Sequence, residues 1–204
     1  MDESKLVTQP YNQIASHFNT TRVLHWTWIT DYINRLPQFS KILDIGCGSG
    51  RNMTYPDMDF VGIDSCKEFI KICTDKNLQV AHGDMCMLPF RTANFDNILS
   101  IASFHHLSTV ERRIRALEEM YRVLKPGGTI LISVWSIHQP KKTRRTFDKY
   151  GDTIVNWVKH DKVYERYYYI FQIPELIHLF ESANFKIQSH IWDCGNEVFV
   201  LRRD

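Results

Sequence analysis

The segment Asp44-Ile45-Gly46-Cys47-Gly48-Ser49-Gly50 places a glycine at every second position directly after the apolar run Lys41 to Ile45. Glycines at the end of a strand let the backbone approach a ligand more closely than any side chain allows. Asp64 stands twenty residues beyond Asp44, at the end of the next apolar run, where a carboxylate can accept two ribose hydroxyls. Together they point to a nucleoside cofactor, against the plainer reading of a tight turn and a strand-end acid. The dinucleotide fingerprint G-x-G-x-x-G needs a glycine where Arg51 stands, which weakens a pyrophosphate reading.

These residues need strands and helices to hold them. Tyr11, Ile14, Ala15 and Phe18 share a helical face, as do Trp28, Ile29, Tyr32 and Ile33. Short apolar runs follow at 41–45, 60–64 and 78–81, and Phe95 to Ile101 gives a fourth; these read as buried parallel strands. The spacing from Lys67 to Cys73 predicts a helix between the second and third strands, and the glycine loop is expected to lead into another. Ser108 and Glu111 read as a capping box opening a helix with Val110, Ile114, Leu117, Tyr121 and Leu124 on one stripe. Lys125-Pro126-Gly127-Gly128 ends it, and Thr129 to Trp135 is the fifth strand. Pro174 opens a last helix, Asn184 closes it, and the runs from Phe185 to Trp192 and Glu197 to Leu201 flank a four-residue loop suited to an antiparallel hairpin. The expectation is an α/β fold: a Rossmann-like, seven-stranded, mostly parallel doubly wound sheet in one domain over 1–204.

The glycine loop opened by Asp44 resembles the S-adenosylmethionine loop of class I methyltransferases. So do Gly83-Asp84-Met85 after the third strand, where that superfamily holds the adenine, and Lys125-Pro126-Gly127-Gly128 before the fifth. The resemblance implies a cofactor set of Asp44, Gly46, Gly48, Gly50, Asp64, Asp84 and Met85, completed by Ile101 at the end of the fourth strand.

Three longer segments narrow it: Tyr11 to Trp26, Ser100 to Arg113 with its His105-His106 pair, and Tyr164-Glu165-Arg166-Tyr167-Tyr168-Tyr169. They resemble the eukaryotic tRNA wobble-uridine carboxymethyl methyltransferases, related to the methyltransferase domain of the AlkB-type fusion protein of animals. The chain departs from the fused members in lacking the oxygenase and RNA-recognition domains and in having a short insertion before the final helix. It is therefore expected to act alone or with a partner. The resemblance implies a small zinc-binding activator subunit, shared with other methyltransferases, that extends the sheet edge. The open edge from Leu78 to His82 is where a strand could add.

Methyl transfer from a sulfonium is an in-line displacement whose rate comes mostly from geometry and exclusion of water. A carboxymethyl acceptor has a pKa of about 4 and is ionised at neutral pH, so no general base is needed. An arginine fork can orient it. Arg22, beside Trp26 in an N-terminal helical lid over 1–40, is the first candidate, against a surface ion pair. His105 and His106 follow the fourth strand and could stack on or hydrogen-bond the base. Trp135 ends the fifth strand and could face a flipped base, or could be core. An insertion over 136–170 mixes Lys141, Lys142, Arg144 and Arg145 with Arg166 and Tyr167, a combination suited to phosphates and unstacked anticodon bases of tRNA, against a solvated loop and a core strand.

The composition of 204 residues, 44% hydrophobic and 24% charged, is that of an ordinary globular chain. A net charge of +2 is too mild to mark the whole surface for nucleic acid, so the cations between His138 and Tyr150 carry that argument. Five scattered cysteines without C-x-x-C spacing suggest neither disulfides nor a bound metal. No membrane span or leader is expected, which places the protein in the cytoplasm or nucleus. Two rivals stay open: a small-molecule methyltransferase on the same fold, and a non-catalytic scaffold subunit that the intact glycine loop and Asp64 argue against.

Overall fold

The computed structural model describes residues 2–21, 26–143, 145–159 and 161–204. Strands β1 (Lys41–Ile45), β2 (Asp59–Asp64), β3 (Val80–His82), β4 (Phe95–Ile101), β5 (Leu124–Trp135), β8 (Phe185–Asp193) and β9 (Asn196–Arg203) form one sheet. Its order is β3-β2-β1-β4-β5-β9-β8. The first five strands are parallel, and β9 pairs antiparallel with both β5 and β8. This is the expected sheet. The reversal of strand order between β1 and β4 opens a crevice above the carboxyl ends of the strands, where ligands of open α/β sheets bind.

Side-chain alternation builds the two core layers. Leu43 and Ile45 on β1, with Ile130, Ile132 and Val134 on β5, meet α4 (Val110–Val123) and α5 (Ile173–Ser182). Ile42 and Leu131 face the other way, in a layer with α2 (Thr27–Ile33) and Cys73 of α3 (Lys67–Asp75). The N-terminal helix α1 (Gln9–Thr21), preceded by a π-helical turn over Ser4–Thr8, packs Ala15, Tyr11 and Phe18 on Phe69 of α3. Among the described residues no helix is long and apolar enough to cross a membrane.

Four local expectations change. The glycine loop leads into consecutive turns, with Gly50 N–H donating to the Cys47 carbonyl (3.0 Å) and Met53 N–H to that of Gly50 (3.1 Å), not into a helix. The connection from β1 to β2 is short and carries Pro56, leaving no room for one. The cap of α4 is Thr109, whose hydroxyl accepts from Arg112 N–H, one residue later than the Ser108 box. The buried stripe shifts with it to Arg113, Ala116, Leu117, Met120 and Val123, leaving Val110 and Ile114 half exposed at 50% and 41%.

The fourth change is the insertion. It contains a two-stranded antiparallel hairpin, β6 (Gly151–Lys159) and β7 (Lys162–Ile170), standing apart from the main sheet. Period-two alternation in Thr153, Val155 and Trp157 against Ile154, Asn156 and Val158 is its sequence signal. The closing β8–β9 hairpin turns through Cys194 and Gly195, both at positive φ, which suits a two-residue turn.

Candidate active site

A cleft of about 1080 Å³ runs above the carboxyl ends of the parallel strands, closed on one side by α1 and on another by the β6–β7 hairpin. The glycine loop forms its floor. Gly46 lies at φ +71° with Ser103 packed so closely that a Cβ would come within 2.4 Å of the Ser103 Cβ. Gly48, at φ +54°, faces open space, and its N–H donates to Asp64 Oδ2 (2.8 Å). Gly50 turns instead toward Leu78 and Cys73 and does not line the cleft.

Asp64 Oδ1 accepts from Cys66 N–H (2.8 Å), so two backbone donors aim the carboxylate across the cleft while lone pairs remain for a ligand. Burial raises its pKa, against those two hydrogen bonds and nearby His82. Asp84 also lines the cleft. Burial acts to raise its pKa, but Cys86 N–H (2.9 Å) and Arg112 Nη2, which donates to both carboxylate oxygens (2.8 and 3.1 Å), outweigh it and hold the carboxyl below the usual range. Met85 and Ile101 supply apolar wall. Asp44 lies directly behind the loop, fully buried and out of the cleft lining, with Asn52 its one side-chain hydrogen-bonding neighbour among the described residues and no well-formed bond to either oxygen. Burial pushes it up to about 7, with Arg51 and Asn52 pulling the other way.

The opposite wall carries the histidines. His105 is fully buried; its Nδ1 accepts from Trp135 N–H (3.0 Å), which puts the ring proton on Nε2. His106 donates from Nδ1 to the Tyr167 carbonyl (2.7 Å), so its Nε2 accepts from the Tyr11 hydroxyl (3.1 Å). Burial drives both pKa values down, that of His106 to about 3. Both rings are neutral, and both lone pairs are occupied. His106 reaches the cleft and His105 stands behind it.

Trp135 is stacked on Tyr168 (4.1 Å, 8°) and carries the Arg145 guanidinium 4.0 Å over its ring. Trp135 still lines the cleft, and a base would stack on its ring only by displacing one of these two partners. Trp26 lines the cleft beneath the Arg51 guanidinium (4.6 Å) and beside Trp28. Arg145 and Arg166 line it as well, and of the β7 tyrosines Tyr168, not Tyr167, faces it. Tyr167 turns away and donates to Asp152 (2.6 Å), because adjacent strand residues point to opposite faces. Lys141 is exposed on a short 3-10 turn. Arg22 and Arg144, and the side chain of Lys142, lie outside the described residues. Sequence reasoning missed Tyr11 as a site residue, since it stood out only as part of an apolar helical stripe and as the first residue of the Tyr11 to Trp26 segment.

The comparisons with known proteins agree with this geometry. A methyltransferase domain family matches residues 43–132. The tRNA (carboxymethyluridine(34)-5-O)-methyltransferase of Schizosaccharomyces pombe is 34% identical, over 99% of this chain and 98% of its own length. The chain belongs to that methyltransferase family. The enzyme of the same name from Arabidopsis thaliana is 44% identical over 67% of this chain and 34% of its own length, and the tRNA (carboxymethyluridine(34)-5-O)-methyltransferase ALKBH8 of Mus musculus is 39% identical over 71% of this chain and 22% of its own length. Against several of its relatives, then, this chain spans a third of the length or less. A solved complex between the Haloferax volcanii Trm112 methyltransferase activator and a methyltransferase has the same fold, with a TM-score of 0.70, 17% identity and 96% of both chains covered.

The cofactor of this methyltransferase family is S-adenosylmethionine, and the residues present fit it: an acid at the end of β2, an open cradle at Gly48, and behind the loop the buried Asp44 carboxyl, whose ionised form a cationic ligand would favour. A testable consequence follows for Asp44. A carboxyl raised to about 7 is half protonated at neutral pH, and a bound cation favours its ionised form. Binding therefore expels a proton, and affinity rises on the order of tenfold from pH 6 to 7.5. The same raised pKa means that Asp44 stabilises the free fold most below its unfolded value of 3.8 and loses that contribution as pH rises through 7. Calorimetry in two buffers of different ionisation enthalpy near pH 6.5 will detect the proton, and Asp44→Asn will abolish it; equal heats for the wild type would remove Asp44 from the linkage.

Proposed function

We propose that this protein methylates the carboxylate of 5-carboxymethyluridine at the wobble position of tRNA, forming the methyl ester. The observation that carries the reading is Arg166. It is 4% exposed, lines the cleft, has an unpartnered buried Nε, and among the described residues pairs with no carboxylate. Its guanidinium is ringed by Trp157, Tyr168 and Tyr11 (4.9, 5.3 and 5.5 Å). A buried cation without a counter-ion is costly, and an acceptor carboxylate would supply what is missing. Arg145 on the face of Trp135 adds a second cation at the same wall. The names of the relatives support the same acceptor.

When bound, S-adenosylmethionine supplies an electrophilic methyl carbon. The chain's part is to orient the acceptor oxygen and keep water out. No proton needs to leave a carboxylate, and among the described residues neither histidine of this wall is a free base, since both lone pairs are engaged. That favours an acceptor already ionised over an amine or alcohol, the acceptors of the small-molecule rival. At saturating ligands the transfer rate should be flat from pH 6.5 to 9. A basic limb in that range, surviving with both ligands saturating, would point to a proton-abstracting residue and to a different acceptor.

In this reading residues 1–40 are the lid and 136–170 face the substrate, with Lys141 and its neighbours near anticodon phosphates. The β3 edge is proposed to take the added strand of a zinc-binding activator, supported by its end position in the sheet and by the Haloferax complex. The protein would work in the cytoplasm as a heterodimer. Mass spectrometry of nucleosides tests all of this. Carboxymethylated tRNA, incubated with cofactor with and without a candidate activator, should gain one methyl on the modified uridine; methylation of tRNA lacking the carboxymethyl group, or none on either, defeats the reading.

A further inference from the structure

Tyr11 comes from α1, yet its hydroxyl meets groups from two distant segments: His106 Nε2 at 3.1 Å, Tyr168 Oη at 2.9 Å and Arg166 Nη1 at 3.2 Å. Proton inventory fixes every direction. His106 has its proton on Nδ1, held by the Tyr167 carbonyl, so Nε2 accepts the Tyr11 proton. Arginine can only donate, so the Tyr11 oxygen accepts from Arg166, and its remaining lone pair accepts from Tyr168. One donor and two lone pairs are all committed. The hydroxyl is the hub of a part-buried network in which it cannot rotate without breaking a bond.

We propose that Tyr11 is a positioning residue: its hydroxyl fixes the Arg166 guanidinium in the orientation that receives the acceptor's anion, so that the anion site is complete only while α1 is docked. The proposal rests on the reading of Arg166 given above. Without the hydroxyl, Arg166 keeps the faces of aromatic rings, which attract a cation but do not set its rotation, and the Tyr168 hydroxyl, which itself loses the Tyr11 oxygen that holds it. The docking of α1 has its own ties. Trp157 Nε1 donates to His17 (3.2 Å), and at the far end Glu3 accepts from Arg112 (3.0 and 3.1 Å), the arginine that also grips Asp84. One helix thus touches the acceptor cation through Tyr11, while the turn before it touches the cofactor side through Glu3. The Tyr11 ring packs edge-on against Phe18 (5.8 Å) and near Phe69 (6.0 Å), contacts that phenylalanine would keep.

The test is Tyr11→Phe in the full chain with its activator if one is required. Single-turnover methylation of carboxymethylated tRNA at saturating cofactor is expected to slow 10- to 50-fold at saturating tRNA, with cofactor Kd within about twofold of wild type and a melting temperature lowered by no more than about 8 °C, so that the variant stays folded. The second arm needs no turnover: acetate is titrated into the cofactor-bound protein and followed at the Arg166 Nε–H resonance, where Tyr11→Phe should bind at least fivefold more weakly. Wild-type kinetics together with wild-type acetate affinity in Tyr11→Phe would overturn the positioning role alone. Failure of acetate to shift Arg166 in the wild type would instead bring down the Arg166 reading, and this inference with it.

Discussion

Arg166→Met is expected to lower the rate of methyl transfer at least a hundredfold at saturating cofactor and tRNA, while cofactor Kd stays within about threefold. A carboxylate held by a guanidinium gains on the order of 1.5 to 3 kcal/mol per charge-assisted hydrogen bond, and two such bonds correspond to roughly 10² to 10⁴ in rate if they act on orientation. The stability of the same variant is the sharper diagnostic. A structural arginine, cut to an apolar chain, leaves a buried carboxylate behind and costs about 3 to 5 kcal/mol. Arg166 has no such partner among the described residues; its hydrogen bond goes to a phenol. Its replacement by an apolar side chain of similar length should therefore leave the melting temperature equal or slightly higher. Arg166→Lys should fall between, since it keeps the charge and loses the planar fork. A variant that melts early, or that methylates at the wild-type rate, would show that the cation is there for packing and not for an acceptor.

The contrast with Arg113 makes the point within the same structure. Arg113 is equally buried, at 2% exposure, but it donates to the Leu107 carbonyl (3.2 Å), lies 3.5 Å over Tyr169 and has Glu175 at 3.7 Å. It faces the α4–α5 layer and not the cleft. Both arginines stand in segments that resemble the family, and nothing in their local sequence separates the one with a counter-ion from the one without. That distinction appears only when β7 is placed, because its alternation sends Arg166 and Tyr168 to one face and Tyr167 and Tyr169 to the other.

What could be read from sequence was local. The sheet order follows from apolar runs alternating with helical stripes, and the glycine loop with Asp64 marks the cofactor end, because each signal lies within a few residues of what it specifies. Where two cap-forming residues stand side by side, as Ser108 and Thr109 do, the pattern shifts by one and carries the whole α4 stripe with it. The acceptor end was not local at all. Tyr11 meets partners 95 and 157 positions away, and Trp135 is covered by a tyrosine and an arginine from opposite ends of the insertion. The basic residues around 141–145 drew attention to charge in a segment whose ordering principle is a β-hairpin.

Asp64→Ala should fail in the opposite way from Arg166→Met. Its carboxylate holds Gly48 N–H and Cys66 N–H at 2.8 Å each, so its loss both removes the proposed ribose acceptor and leaves two backbone donors unpaired at the rim of the glycine loop. Losing two hydrogen bonds from a charged acceptor costs on the order of 3 to 6 kcal/mol before compensation, and water entering the cleft will return part of it. The expected result is a cofactor Kd raised at least a hundredfold. Because the defect lies in binding, a large excess of S-adenosylmethionine should restore most of the transfer rate, which no excess can do for Arg166→Met. Asp64→Asn separates the two roles of the carboxylate. Its amide oxygen can still accept from one backbone donor, so the loop should hold its shape better than in the alanine variant. Without the charge, and with only one acceptor atom, it should still bind cofactor at least tenfold more weakly than wild type. Isothermal titration of the three proteins, paired with rates at low and saturating cofactor, decides the matter: if Asp64→Ala binds like wild type while folded, the acid at the end of β2 serves the turn alone; if its rate stays low at saturation, Asp64 has a role beyond binding that the geometry does not predict.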